Sequence, residues 1–166
     1  MSASPPVFDL AEQLGVLLLA RHACVTTAES CTGGAIAAAI TEVPGSSQWF
    51  DRGFVTYSSA AKHELLGVNE ELLAATGAVN EPVVRAMAEG ARRRAAADFS
   101  IAVTGLAGPT GDGSNTPVGT VWLAWASAAG TRSQCVHLSG ERAQVRAACV
   151  VLALQGLLVQ LQKNTV

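Results

Sequence analysis

The chain has 166 residues, of which 49% are apolar and 14% charged, and its formal net charge is −2. This length suits one domain with a sizeable core, and the composition excludes a disordered chain. The slight negative charge, with no basic run longer than the arginines at 92–94, gives no reason to expect a nucleic acid partner.

The four cysteines show no CxxC pairing and no histidine at a matching spacing, so a metal site is not expected. They are Cys24, Cys31, Cys135 and Cys149. The N-terminus lacks the basic region of a signal peptide, and the apolar stretch 150–159 is too short to span a bilayer. We therefore expect a reduced, cytoplasmic protein that does not associate with a membrane.

In chain order, residues 1–7 are predicted as a flexible tail and residues 8–166 as a single domain. Leucines at helical spacing predict a first helix over 8–21. Periodicity, β-prone runs and turn residues predict the remaining elements. The predicted strands are 23–28, 49–58, 99–104, 118–126 and 131–138, and the predicted helices are 32–41, 60–66, 70–76, 81 to about 97, and 141–161.

Helices before, between and after the strands predict a three-layer α/β/α sandwich. The nearly all-apolar strand 99–104 is typical of a strand covered on both faces. The last two strands are expected to form a hairpin through Gly130, so the sheet is expected to be mixed and mostly parallel.

Two glycine-rich turns follow predicted strands. The first, TTAESCTGG (26–34), leads into a helix, and the second, GLAGPTGDG (105–113), leads into a strand. Ligands of open α/β sheets lie beyond the carboxyl ends of the strands, so both turns are expected to line one crevice. Neither turn is a P-loop or a dinucleotide fingerprint. The first turn can also be explained as an ordinary strand-to-helix connection with a Ser/Thr cap.

Ser30 in the first turn is a candidate nucleophile, but a serine hydroxyl needs a base. None of the three histidines is obviously placed for that role. Lys62 is the other candidate, and a lysine can act as a base only where burial or neighbouring cations favour its neutral form. Sequence spacing alone does not bring Lys62 to Ser30, and a solvated helix lysine is the ordinary alternative.

Five strings, in order along the chain, resemble the CinA C-terminal family, which is also known as the nicotinamide-nucleotide amidase family. They are TTAESCTGG (26–34), PGSSQWFDRGFVTYSSAAK (44–62), GAVNEPVV (77–84), VTGLAGPTGDG (103–113) and PVGTVW (117–122). The resemblance implies hydrolysis of the carboxamide of nicotinamide mononucleotide (NMN), which yields nicotinic acid mononucleotide and ammonia and returns the nucleotide to NAD synthesis. It also implies a homodimer, and the reaction requires no cofactor.

Carried over residue by residue, the resemblance makes Ser30 the nucleophile and Lys62 the general base, with Tyr57 beside them. The positions that the resemblance assigns to substrate binding are Ser47, Thr104, Gly105, Ala107, Gly108 and Arg142. Amide hydrolysis also needs N–H donors for the oxyanion, and the N–H groups of Thr32, Gly33 and Gly34 are the candidates. Arg142, or alternatively Arg146, is the expected clamp for the phosphate.

Two further hypotheses remain open. Cys31 is an alternative nucleophile with Glu29 nearby, although a packed, unreactive thiol is the simpler interpretation. The other hypothesis is a non-catalytic module that binds nucleotides or a partner and acts in competence or the DNA-damage response.

Overall fold

The computed structural model describes residues 6–163. The chain forms six helices, five strands and one 3₁₀ turn within this range. They are α1 (Val7–Ala20), β1 (Val25–Glu29), α2 (Ala35–Thr41), the 3₁₀ turn (Ser46–Gln48), β2 (Phe50–Val55), α3 (Ser59–Leu66), α4 (Glu70–Thr76), α5 (Glu81–Ala95), β3 (Phe99–Gly105), β4 (Thr120–Ser127), β5 (Gly130–His137) and α6 (Arg142–Lys163). Of the predicted tail, residues 1–5 lie outside the described residues, while Val7 already belongs to α1.

The five strands form one mixed sheet in the order β2-β1-β3-β4-β5. β1 pairs in parallel with β2 on one side and with β3 on the other. β4 is antiparallel to both β3 and β5, so the predicted hairpin is present. Four of the five strands therefore run in the same direction, and the predicted mixed sheet is confirmed.

Helices cover both faces of this sheet, which confirms the three-layer sandwich. One face packs against α1, α2 and α6, with Ile101 and Val103 of β3 in that core. The other face packs against α3, α4 and α5, and Ala102 of β3 belongs to it. This alternation is the period-two pattern of a strand buried on both sides. The second face is lined by alanines, so α5 lies close to the sheet.

The helices after β2 begin at side-chain caps, as their sequences predict. Ser58, Asn69 and Asn80 each accept hydrogen bonds from N–H groups in the first turn of α3, α4 and α5, respectively. Gly90 of α5 faces the end of α3, where any side chain would collide with the carbonyl oxygen of Leu66. This close contact between α5 and α3 fixes the position of α3, which carries Lys62.

The final helix α6 extends well beyond the apolar stretch 150–159 that the sequence analysis judged too short to span a bilayer. By length and composition alone, α6 could cross a membrane, with a mean hydropathy of 1.6 over its most apolar window. However, a row of its side chains, including Val145, Cys149 and Leu157, is fully buried in the core shared with α1 and the sheet. Its apolar character is therefore that of a core helix.

Candidate active site

The carboxyl ends of β1, β2 and β3 meet at one edge of the sheet and open into a cavity of about 330 Å³. The chain leaves β1 towards β2 on one side and later returns to β3 on the other side, which is the arrangement that opens a crevice in an α/β sheet. The cavity is lined by Ser30, Cys31, Tyr57, Ser59, Lys62, Ala78, Val79, the loop 104–108, Thr110, Gly111, Asp112 and Arg142. Both glycine-rich turns therefore contribute to one cavity.

Parallel pairing of β1 with β2 brings Ser30 and Lys62 together. Glu29 is in register with Val55, so the residues after the two strands, Ser30 and Thr56, lie at the same edge. The first turns of α3 then place Lys62 over that edge. Its Nζ donates hydrogen bonds to Ser30 Oγ at 3.0 Å and to the carbonyl oxygen of Thr56 at 2.8 Å.

Lys62 is buried, with only 1% of its surface exposed. Burial disfavours the charged ammonium and lowers the pKa of Lys62 to about 8, although the neighbouring Cys31 opposes this shift. A lysine with this pKa is partly neutral near physiological pH. The amine can then accept a proton from the serine hydroxyl that it contacts.

The turn that carries Ser30 is held by the buried carboxylate of Glu29. Its two oxygens accept hydrogen bonds from the Thr32 hydroxyl and from the N–H groups of Gly34, Ile36 and Ala37. Glu29 therefore caps α2, and the residues at 31–34 form a turn where the sequence predicted helix from 32. The cap stabilises the geometry next to Ser30 without touching the cavity.

We predict that Glu29→Ala destabilises the fold, because it removes an acceptor shared by four buried or half-buried donors. The expected loss is about 3 kcal/mol of unfolding free energy, which lowers the Tm by roughly 6–12 °C. Thermal unfolding followed by circular dichroism measures this change. Glu42→Ala, an exposed acidic residue at the other end of α2, is the matched control and should shift the Tm little. Equal shifts in the two variants would contradict the capping role.

Two arginines of α6 reach the site but contact different parts of it. Arg142 lines the cavity, and its guanidinium donates to the Tyr57 hydroxyl and to the carbonyl oxygen of Gly108, both at 2.9 Å. Arg146 donates instead to the carbonyl oxygens of Cys31 and Thr32, at 3.1 and 3.0 Å. Of these two arginines, only Arg142 lines the cavity, while Arg146 holds the turn that carries Ser30 from outside it.

The second glycine-rich loop forms the opposite wall of the cavity. Thr104 is buried, and its hydroxyl donates to the carbonyl oxygen of Ala78 at 2.8 Å. Gly105, Ala107 and Gly108 follow it along the wall. The structure therefore brings these four predicted positions to the cavity together with Ser30, Tyr57, Lys62 and Arg142.

The other predicted binding positions do not line this cavity. The side chain of Thr32 donates to Glu29. The N–H of Gly33 donates to the carbonyl oxygen of Ser30, and that of Gly34 donates to Glu29, so neither N–H is free for an oxyanion. Ser47 lies in the 3₁₀ turn that precedes β2, at the amino edge of the strands, whereas the cavity lies at their carboxyl edge.

Sequence reasoning missed three features of the site. They are the Glu29 cap, the carbonyl of Thr56 that orients Lys62, and the wall formed by Ala78 and Val79. The first left a signal: α2 has no acidic residue in its first turn and no side-chain N-cap of its own, so the Glu before Ser30 was available for that role. The other two depend on how distant segments meet, and they left no local signal.

Comparison with known proteins identifies the family. Residues 7–161 match the CinA C-terminal domain family. The chain is 52% identical over 162 residues to the nicotinamide-nucleotide amidohydrolase PncC of Escherichia coli K12, covering 96% of this chain and 97% of the relative. Similarity to the PncC of Pseudomonas putida is comparable, with 52% identity over 153 residues, 92% of this chain and 96% of the relative.

A solved structure agrees with the sequence matches. The competence damage-inducible protein A from Klebsiella pneumoniae subsp. pneumoniae MGH 78578 superposes with a TM-score of 0.93 at 39% identity, covering 95% of this chain and 98% of that one. Both the fold and nearly the whole length are therefore shared with these proteins. The chain belongs to the CinA C-terminal domain family.

Proposed function

We propose that the protein is an amidohydrolase that deamidates NMN to nicotinic acid mononucleotide and ammonia, with Ser30 as nucleophile and Lys62 as general base. One observation carries the proposal: a buried lysine amine lies 3.0 Å from a serine hydroxyl, and both residues line the cavity. The names of the PncC relatives support the substrate class.

In this mechanism the neutral Lys62 amine accepts the Ser30 proton while Oγ attacks the carboxamide carbon of NMN. The resulting ammonium returns that proton to the nitrogen of the tetrahedral intermediate, and the C–N bond breaks to release ammonia. Lys62 then takes a proton from the water that attacks the acyl-enzyme, and the same proton returns to Ser30 as the acid product leaves. The hydrogen bond to the Thr56 carbonyl keeps the amine aimed at Ser30 through both halves of the reaction.

The oxyanion of the tetrahedral intermediate needs N–H donors close to Ser30. The N–H groups of Cys31 and Thr32 are candidates, because neither donates to another residue among residues 6–163. Arg146 donates to the carbonyl oxygen of Cys31, which shares a peptide plane with the Thr32 N–H, and to that of Thr32, so it holds the turn in which both N–H groups lie.

Arg142 is the proposed contact for the phosphate of NMN, since it lines the cavity and has N–H donors beyond the two that bind Tyr57 and Gly108. Tyr57 has 60% of its surface exposed and lines the cavity beside Lys62, so it would orient the substrate near the dyad. Thr104, Gly105, Ala107 and Gly108 would enclose the nucleotide from the other side.

We predict that Arg142→Met raises the KM for NMN by roughly 10- to 100-fold with a smaller change in kcat, because a charge-assisted contact contributes about 1.5–3 kcal/mol. Arg146→Met, the matched variant one turn later, should lower kcat instead, since it loosens the turn that carries Ser30. Steady-state kinetics of both variants measure the split. If Arg146→Met raised the KM for NMN and Arg142→Met lowered kcat instead, the phosphate contact would belong to Arg146.

We also predict a rise in activity with pH. The base must be neutral, and the pKa of Lys62 is lowered to about 8, so kcat/KM should increase about tenfold between pH 7 and pH 9. Stability should rise as well above about pH 8, because the unfolded chain binds more protons than the folded chain until the ordinary lysine pKa is passed. A pH–rate profile with no transition near 8 would contradict the assignment of Lys62 as base.

The direct test is ammonia release from NMN by the purified protein, compared with release from nicotinamide riboside. Ammonia and nicotinic acid mononucleotide should form in equal amounts, and the riboside, which has no phosphate, should be the poorer substrate. Saturable NMN binding in calorimetry without product would favour the non-catalytic module. The hydrogen bond between Lys62 and Ser30 favours an enzyme over that module, because binding alone does not require a buried lysine amine in contact with a serine hydroxyl.

We further expect the enzyme to act in pyridine nucleotide recycling, as a cytoplasmic homodimer that binds neither nucleic acid nor membrane. Val16, Leu19 and Val159 on α1 and α6 are exposed apolar side chains that a second copy could cover. Ser47 remains a predicted substrate contact. Sedimentation equilibrium at micromolar concentration would test the dimer.

A further inference from the structure

Two buried cysteines lie next to each other behind the nucleophile. Cys31 follows Ser30, lines the cavity and has 5% of its surface exposed, whereas Cys149 of α6 is fully buried. Both belong to the core shared by α1, α2 and α6. Arg146, one turn before Cys149, donates to the carbonyl oxygen of Cys31 and so holds α6 against the turn. One thiol is thus reachable from the cavity and the other is directly behind it.

The two thiols differ in their readiness to ionise. The interaction of the Cys149 thiol with the Cys31 sulfur lowers the pKa of Cys31 although burial opposes this, and the nearby Lys62 also favours the thiolate. The same interaction, together with burial, raises the pKa of Cys149, which stays protonated. A thiolate next to a second thiol is the arrangement in which peroxide oxidation leads to a disulfide. Cys31 differs from an inert core thiol in two respects: it lines the cavity, and a second thiol lies next to it.

We propose that Cys31 and Cys149 are a reversible oxidation site at which a hydroperoxide forms an intrachain disulfide. The Cys31 thiolate attacks the terminal oxygen of the hydroperoxide, the O–O bond breaks, and the sulfur is oxidised to a sulfenic acid while the oxidant is reduced to an alcohol or water. The Cys149 sulfur then attacks the sulfenic sulfur, its proton leaves with the hydroxyl as water, and the S–S bond forms. A dithiol returns two electrons and restores both thiols.

The disulfide should also switch off the catalytic site, and this consequence rests on the proposed function. An S–S bond of about 2.05 Å is shorter than any contact between unbonded sulfur atoms, so its formation draws the Cys31 side chain and α6 together. Ser30 is joined to Cys31 by a peptide bond, so we expect this movement to disturb the 3.0 Å contact between Ser30 Oγ and the Lys62 amine. A displacement of about 1 Å at a reacting group is enough to reduce the rate roughly 10²-fold.

The test uses the full-length protein with Cys24→Ser and Cys135→Ser, which leaves only the buried pair. The protein is treated with hydrogen peroxide, its free thiols are alkylated, and the digest is mapped by mass spectrometry, with NMN deamidation measured in parallel. We expect a peptide linking Cys31 to Cys149, a loss of activity of about 10²-fold, and recovery of both thiols and activity with dithiothreitol. Cys149→Ala in the same background should instead give Cys31 sulfinic acid and a loss that dithiothreitol does not reverse.

The outcomes separate this proposal from the proposed function. A digest in which Cys31 is recovered only as thiol or sulfinic acid, with no linked peptide, overturns the oxidation site. The linked peptide supports the site even if the untreated protein has no amidase activity, because mass spectrometry does not depend on turnover. A linked peptide in an enzyme that keeps full activity overturns the switch. Circular dichroism of Cys149→Ala, and of Cys149→Ser as a second variant, checks that the fold is retained.

Discussion

Replacing Lys62 with methionine is expected to reduce kcat for NMN deamidation by about 10³-fold while the chain still folds. Methionine retains most of the volume of the buried stem but has no group that can accept the Ser30 proton. Lys62 is the residue that donates both to Ser30 Oγ and to the Thr56 carbonyl, so no second amine can take over its position. The loss should therefore fall on kcat, with little change in KM.

The stability of Lys62→Met reflects two opposing terms. The variant removes a buried amine whose charged form is disfavoured by desolvation, which is stabilising below about pH 8. It also leaves the buried Thr56 carbonyl without its donor, which costs about 1–3 kcal/mol. The net change should lie within roughly 2 kcal/mol of zero, so a large loss of activity cannot be attributed to unfolding.

Lys163→Met is the matched control, because Lys163 is exposed in the last turn of α6 and far along the chain from the cavity. It carries the same substitution and should keep wild-type activity. Stopped assays of ammonia release, with circular dichroism of each variant, decide the question. Wild-type turnover in Lys62→Met would remove Lys62 as the base and leave the serine hydroxyl without an assigned activator.

The local parts of this fold were predictable from short stretches of sequence. α4 has the predicted bounds, because Asn69 and Gly77 mark its two ends with side-chain and backbone groups that act within one turn. α2 begins three residues later than predicted, because its cap is Glu29, which belongs to the preceding strand. A cap supplied from outside the first turn has no fixed spacing that a helix signal could detect.

The site was predictable only in part, for a related reason. The strand order determines which turns face each other, and no single segment of the sequence predicts the order β2-β1-β3. Once that order is known, Ser30, Thr56 and Gly105 must lie at one edge. Ser47 follows α2 and precedes β2, so the same topology carries it to the opposite edge. Residue types at short spacing therefore suggested the chemistry, while non-local pairing determined its geometry.

Ser30→Ala is expected to lower kcat at least about 10⁴-fold, because alanine cannot form the acyl-enzyme through which the reaction is proposed to pass. The substitution removes one oxygen and one hydrogen bond from Lys62, which keeps its bond to Thr56. NMN binding should persist, since the cavity wall and Arg142 are unchanged. Calorimetry on the variant would measure the Kd directly.

Cys31→Ala distinguishes the two possible nucleophiles. Cys31 lines the same cavity, but the Lys62 amine bonds to Ser30 Oγ. Cys31→Ala should therefore retain activity within about tenfold of wild type, the loss coming from a small buried cavity beside the turn. If Cys31→Ala were the inactive variant and Ser30→Ala the active one, the thiol would be the nucleophile.

The double variant Ser30→Ala/Lys62→Met tests whether the two residues act as a unit. If Lys62 serves only to move the Ser30 proton, then removing the base from an enzyme that already lacks the nucleophile should cost nothing further. We expect the double variant to be as active as Ser30→Ala alone, within roughly threefold, instead of showing the product of the two losses. Multiplicative losses would mean that Lys62 acts on the substrate independently of Ser30, for example by protonating the leaving nitrogen during a direct attack by water.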